Sequence, residues 1–191
     1  MALPNLNRWT GGALVIGSLL FIVNKFNDMS QTYLNRPMPD LITGRDIAWL
    51  ALGPVLLAIG CWGWYQIYAK RSSAPAKVGL AMLLTGAISL ALGHASFVSF
   101  QAEPMFLFVI LGVFLMTAGL ILFGAVNLRL KAIRRWPFLP LVTGLLGFVG
   151  FVVFGGKEYP AIFLALRTLF GLGLVMMGVT LLLDTRGETT P

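Results

Sequence analysis

The stretch "AIFLALRTLFGLGLVMMGVTLLL", residues 161–183, carries a single charge, Arg167, near its start and is otherwise almost wholly apolar. As an α-helix rising about 1.5 Å per residue it would cross the roughly 30 Å hydrocarbon layer of a bilayer. The charge does not prevent this. One arginine at the bilayer centre raises the insertion free energy by at most about 2.5–3.5 kcal/mol, while each Leu, Ile, Phe or Val returns about 0.3–0.6. Further runs of the same kind lie at Thr10–Phe26, Ile47–Ala69, Val78–Phe100, Met105–Asn127 and Trp136–Phe154. The fold expected is therefore all-α and integral to a membrane, a single domain over 1–191 with six transmembrane helices.

Composition points the same way. Hydrophobic residues make up 58% of the chain, charged residues 11%, and the mean hydropathy is +0.86, more apolar surface than a water-soluble domain of 191 residues can hide. The first run follows Arg8 as a signal peptide would, yet "NKFNDMS" comes after it with no small-x-small cleavage site, so a retained helix is expected. The lone Cys61 excludes a disulfide within the chain and any multi-cysteine metal site, and the lone His94 excludes a zinc site of several histidines. No phosphate-cradling glycine loop, nucleophile elbow or HExxH is present, so catalysis of the soluble-enzyme type is not expected.

The net charge of +7 would suit nucleic acid, but its distribution reads as a topology signal instead. With the N-terminus inside, nine basic residues (Arg8, Lys70, Arg71, Lys77, Arg129, Lys131, Arg134, Arg135 and Arg186) are cytoplasmic, against four outside (Lys25, Arg36, Arg45 and Lys157). Both termini are then cytoplasmic. Trp62, Trp64, Tyr65 and Tyr68 beside Lys70 and Arg71 form the aromatic belt expected at that interface, and the basic loops would also attract anionic headgroups.

An internal repeat runs through the glycines. "LGPVLLAIG" at 52–60, "LGVFLMTAG" at 111–119 and "FGLGLVMMG" at 170–178 place Gly53, Gly112 and Gly171 at intervals of 59, and Gly60, Gly119 and Gly178 likewise. Thr10-Gly11, Thr85-Gly86 and Thr143-Gly144 open the alternate helices. Glycines seven apart fall on one helix face, and small residues let helices approach closely in lipid, where no hydrophobic drive acts between them. The pattern predicts three pseudo-repeated helical hairpins, at approximately 9–70, 78–130 and 136–184, related about the membrane normal rather than inverted. The outer segment 25–45 is the one long connection, with room for a binding site or for a short lipid-lying helix after Asp40. The tail "DTRGETTP" is polar.

Three hairpins with a glycine-rich first helix, a turn near proline ("AEP" at 102–104, "EYP" at 158–160) and a second helix of LGxxLxxxG type resemble the HdeD family. Its members are small six-helix proteins of the bacterial inner membrane, and the founding member is linked to acid resistance. The long first outer segment departs from that pattern. The resemblance implies a multi-pass, non-enzymatic protein and carries over no catalytic residue.

Candidate ligand or partner residues are few. Arg167 occupies the position held by Trp49 and Phe108 in the other two repeats, four residues before the repeat glycine, so a cation replaces an aromatic ring there. It lies about 9 Å below the outer boundary counted from Ala161. Three readings follow: it snorkels outward or binds carbonyls and Glu103 or Glu158; it recognises an anionic or carbonyl-bearing ligand such as a lipid headgroup or quinone; or it contacts another subunit. His94 is expected in the same outer layer. With nearby methionines it would permit a His/Met haem, while a packing histidine is the plainer reading.

The function expected is that of a small polytopic protein without cofactor, HdeD-like in envelope stress or an accessory or scaffold subunit of a membrane complex. Its partners would be the bilayer and protein subunits or further copies of itself, with no nucleic acid. The alternatives are a small transporter or channel, for which the polar path is thin, and a haem- or quinone-binding redox subunit.

Overall fold

The computed structural model describes residues 5–34, 47–100, 103–155 and 160–184, with side chains over 5–23, 51–96, 104–155 and 161–184. Every element among them is helical: α1 (Leu6–Leu34), α2 (Ile47–Tyr68), α3 (Ala74–Phe100), α4 (Phe106–Leu130), α5 (Leu139–Phe148, prolonged by a π-helical turn Val149–Val153) and α6 (Pro160–Leu183). Four stretches, within α1, α3, α4 and α6, are long and apolar enough to cross a membrane, and Leu139–Val153 is a shorter apolar helix. Each helix also turns large apolar side chains outward, such as Ile16, Leu52, Ile88, Leu111, Val142 and Leu172, all more than two-fifths exposed. A soluble protein does not leave an apolar stripe on the outside of every helix; a membrane protein does.

Helix ends differ from the apolar runs where local chemistry, not hydropathy, sets them. α1 continues to Leu34, into the segment expected to be an outer loop from residue 25, because "NKFNDMSQTYL" contains neither Gly nor Pro to stop it. The short helix expected after Asp40 falls in 35–46, outside the described residues. α5 starts at Leu139 rather than Trp136, since Trp136 has a positive φ of 54° and Pro140 stands in the first turn, where its missing N–H costs nothing.

The helices pack as a closed ring. α1 meets α2, α2 meets α3, α3 and α4 form the most extensive pair, α4 meets α5, α5 meets α6, and α6 returns to α1. Every neighbouring pair is antiparallel. Gly86 faces Gly112 and Gly79 faces Gly119 across α3 and α4, and a Cβ built on Gly86 would stand 2.6 Å from the Gly112 carbonyl oxygen. Gly17 faces Gly53 across α1 and α2, where Gly60 also abuts Leu14. In α6 the same two glycine positions have a different partner. Gly171 meets Ile22 and Gly178 meets Val15 and the Gly11 carbonyl, all on α1, while α5 approaches α6 through its own Gly147 and Gly150, against Phe170 and Leu166. The glycine faces of α2 and α4 thus look back to the preceding helix, and that of α6 looks forward to close the ring.

Inside the ring one core runs from end to end: Phe170 with Phe21 and Phe151, then Leu57, Met116 and Leu174, then Leu14 and Leu120, then Trp64 and Phe123 beside Tyr68. The hydroxyls of Thr10, Ser18, Thr117, Thr168 and Thr180 donate to the carbonyls of Leu6, Leu14, Val113, Leu164 and Met176 one turn back, which pairs these donors in an apolar medium, whereas the buried Thr143 hydroxyl of α5 has no such bond. Ser89 instead donates across to the Phe108 carbonyl at 2.8 Å, tying α3 to α4.

Candidate functional site

Two polar features break the apolar ring, one at each end. In the first turns of α6, Phe163 stands four residues before Arg167 and so shares its helix face. α5 brings the second ring. Its π-helical turn, closed by the Phe154 N–H to the Val149 carbonyl at 3.0 Å, carries Phe151, and the glycine before it, Gly150, packs against Leu166 of α6. The guanidinium carbon of Arg167 lies 4.3 Å from the Phe151 ring centre and 4.1 Å from that of Phe163, in the corner between rings set at 79°. Phe151 packs edge-on against Phe170 at 5.7 Å, and Phe170 against Phe21 at 6.2 Å. Cation–π attraction in such a corner amounts to about 0.5–2 kcal/mol, rising as water is excluded.

The other residues expected near Arg167 are placed as follows. His94 is half-buried on α3, whose main packing partners are α2 and α4, so its helix is not a ring neighbour of α6. Trp49 belongs to α2 and Glu103 to a short 3₁₀ turn before α4, with both side chains outside the described residues, as is Glu158 altogether. Phe108, the repeat counterpart of Arg167, is outward-facing and close to half exposed. Arg167 and its counterpart therefore share a sequence register but not an environment.

At the opposite end the ring gathers the basic residues read in the sequence chiefly as an orientation signal and also as an attraction for anionic headgroups. Helices α2, α4 and α6 finish here. Asp184, directly after α6, accepts from the Tyr68 hydroxyl at 3.2 Å and from Arg71 at 3.5 Å, and its carbonyl accepts from the Asn7 side chain. The connection from α4 to α5 folds over the same end. Asn127, almost wholly buried, donates to the Pro137 carbonyl at 2.9 Å and accepts from the Ile133 N–H at 3.0 Å. Lys131 caps α4 in the left-handed region at φ 50° with its N–H on the Asn127 carbonyl at 2.7 Å. Arg135 stacks over Trp136 at 5.7 Å.

This end holds a cavity of about 250 Å³, whose polar wall is Tyr68, Arg71, Arg134, Arg135, Thr180 and Asp184. Asn127 was the missed residue. The signal available in sequence was its position, a lone amide inside "LFGAVNLRL" just before a short basic turn. Among the described residues no group of three or more His, Cys, Asp or Glu side chains is arranged to hold a metal ion. No protein-family model matches the sequence, and no curated protein or solved structure is significantly similar to it.

Proposed function

We propose that this chain is a non-enzymatic six-span protein of a bacterial-type inner membrane, built from three helical hairpins with both termini cytoplasmic, and that it serves as an HdeD-like envelope-stress protein or as an accessory subunit of a membrane complex. The observation that carries the reading is the filled ring. A transporter or channel of this size would use the space between its helices, and here that space holds Phe170, Leu57, Met116, Leu174, Trp64 and Phe123. The reciprocal glycine contacts of α1 with α2 and of α3 with α4 support hairpins as the building unit. The basic end, with Arg71, Lys131, Arg134 and Arg135, takes the cytoplasmic side by the positive-inside rule. Arg167 then lies toward the outer face, held by its two phenylalanine rings as a structural cation.

The test is reconstitution. Purified protein in liposomes loaded with a pH-sensitive dye should pass protons and small ions no faster than empty vesicles, show no visible absorption band, and elute in mild detergent with itself or a fixed partner in constant ratio. A saturable flux above that of empty vesicles would overturn the reading.

A further inference from the structure

The positive-inside rule asks only for cations near helix ends; it makes no demand on their geometry. The connection between α4 and α5 has a great deal of geometry. One buried amide, Asn127, bonds both sides of the turn, two non-glycine residues, Lys131 and Trp136, adopt positive φ, and Ile133 is only 2% exposed in the same core cluster as Tyr68 and Leu181. Positive φ at bulky residues is unfavourable and persists where the surroundings over-determine it. The outcome is that the ordered connection brings Arg134 and Arg135 to the wall of the cavity that Arg71 also lines, with all three side chains open to solvent.

We infer that this cavity is a binding site for a phosphate oxyanion carried by an ester, of lipid-headgroup size. Three arginines meet there, and the planar guanidinium fork matches phosphate oxygens in pairs. Asp184 already demonstrates the chemistry: an oxyanion of the chain itself takes the Tyr68 hydroxyl and Arg71, leaving the charge of Arg134 and Arg135 in excess. Because neighbouring helices alternate in direction, N-termini and C-termini share this end and their dipoles largely cancel, so the side-chain charges set the field. The volume, about 250 Å³, is smaller than the roughly 300–1,000 Å³ of pockets that enclose drug-sized ligands, and fits a headgroup. Ile133 and Leu183 add an apolar wall, and Tyr68 and Leu183 end helices α2 and α6, the depth at which headgroups lie. Basic pockets between helices on the cytoplasmic side suit anionic lipid. The inference stands on the cavity and does not depend on the HdeD-like reading.

The experiment titrates full-length protein in a neutral detergent, at fixed ionic strength, with short-chain phosphatidylglycerol, short-chain phosphatidylcholine and inorganic phosphate, reading binding from the thermal unfolding midpoint. Phosphatidylglycerol should bind more tightly than phosphatidylcholine. Arg134→Gln with Arg135→Gln should weaken it about thirtyfold, the equivalent of about 1 kcal/mol for each cation. Asp184→Asn should tighten it by removing the competing carboxylate. The control, Lys77→Gln with Arg129→Gln, takes the same charge from exposed positions outside the cavity and should change affinity less than threefold. If inorganic phosphate shows the same dependence on the arginines, the ligand is a soluble phosphate; if only the lipid does, it is the headgroup. Equal losses in the control and cavity variants, or no binding of any anionic probe, would overturn the site.

Discussion

Gly53 and Gly112 occupy the same register in the 59-residue repeat, yet they meet different surroundings, and alanine at each should separate them. A Cβ on Gly112 would lie 2.6 Å from the Leu90 nitrogen, 2.8 Å from the Gly86 carbonyl oxygen and 2.9 Å from the Leu90 Cα, all backbone of α3. Optimal contacts are about 3.5–4.0 Å, so α3 and α4 must part by close to 1 Å along their most extensive seam. Overpacking of this kind costs about 1–3 kcal/mol, and a rigid backbone partner puts Gly112→Ala at the upper end. Helix propensity returns about 1 kcal/mol, leaving a net loss of about 1–2 kcal/mol. A Cβ on Gly53 meets the Leu20 Cβ at 3.4 Å, the Gly17 oxygen at 3.7 Å and the Phe21 nitrogen at 4.0 Å, ordinary contacts, and one on Gly12 meets nothing within 4 Å. Gly53→Ala should therefore be neutral or mildly stabilising, and Gly12→Ala stabilising. For a chain of this length 1 kcal/mol moves the melting temperature by about 2–4 °C. Thermal unfolding in one detergent should place Gly112→Ala about 2–8 °C below wild type, with the other two at or above it. Equal losses for Gly53→Ala and Gly112→Ala would refute the reasoning, since glycine would then matter by register and not by approach distance.

Arg167→Phe should insert and fold, because two repeat counterparts are aromatic, while Phe151→Ala in the wild-type background should lower the melting temperature by emptying one wall of the corner around the guanidinium; co-purifying lipid or protein lost from Arg167→Phe alone would instead make Arg167 a ligand or partner contact. Asn127→Ala removes both bonds across the α4–α5 turn and should destabilise by about 1–3 kcal/mol, with the turn becoming sensitive to trypsin after Arg134 and Arg135. For orientation, single cysteines at Ser30 and Ser73 in a Cys61→Ala background should differ with an impermeant thiol reagent on intact cells: Ser30 labels and Ser73 does not, and the reverse result inverts the topology.

Helix positions were legible in the sequence because hydropathy over some 20 residues reports the bilayer directly. Their ends were less so. Polar residues such as Asn27 and Asp28 do not halt a helix already propagating, and a positive φ at Trp136 depends on Asn127, a residue whose bonds lie six and ten positions away. The 59-residue glycine spacing was legible but the pairing of the glycine faces was not: nothing in the register of Gly171 and Gly178 says that their face turns to α1 instead of α5. For Arg167, the i−4 partner Phe163 was within reach of helical periodicity. Phe151 was not, since a π-turn shifts the register by a residue and leaves no mark in composition. The basic-end cavity was hidden for a different reason. Its groups come from residues 68, 71, 134, 135 and 184, and only ring closure brings the last of them to the first.

That closure has a consequence for synthesis. The Asn7 side chain bonds to a carbonyl 177 positions later, and the Gly11 and Val15 face of α1 waits for Gly178. At about 5–20 residues per second the first helix spends roughly 9–35 s in the membrane before its last neighbour exists. The α3–α4 hairpin can form as it emerges; the seam between α1 and α6 cannot. During that interval the waiting surface is small-residue and apolar, equally well covered by lipid or by the final helix of a neighbouring chain made on the same message. Exchange of α6 between two nascent copies is the assembly error this architecture invites, and polysome density is the variable that would govern its frequency.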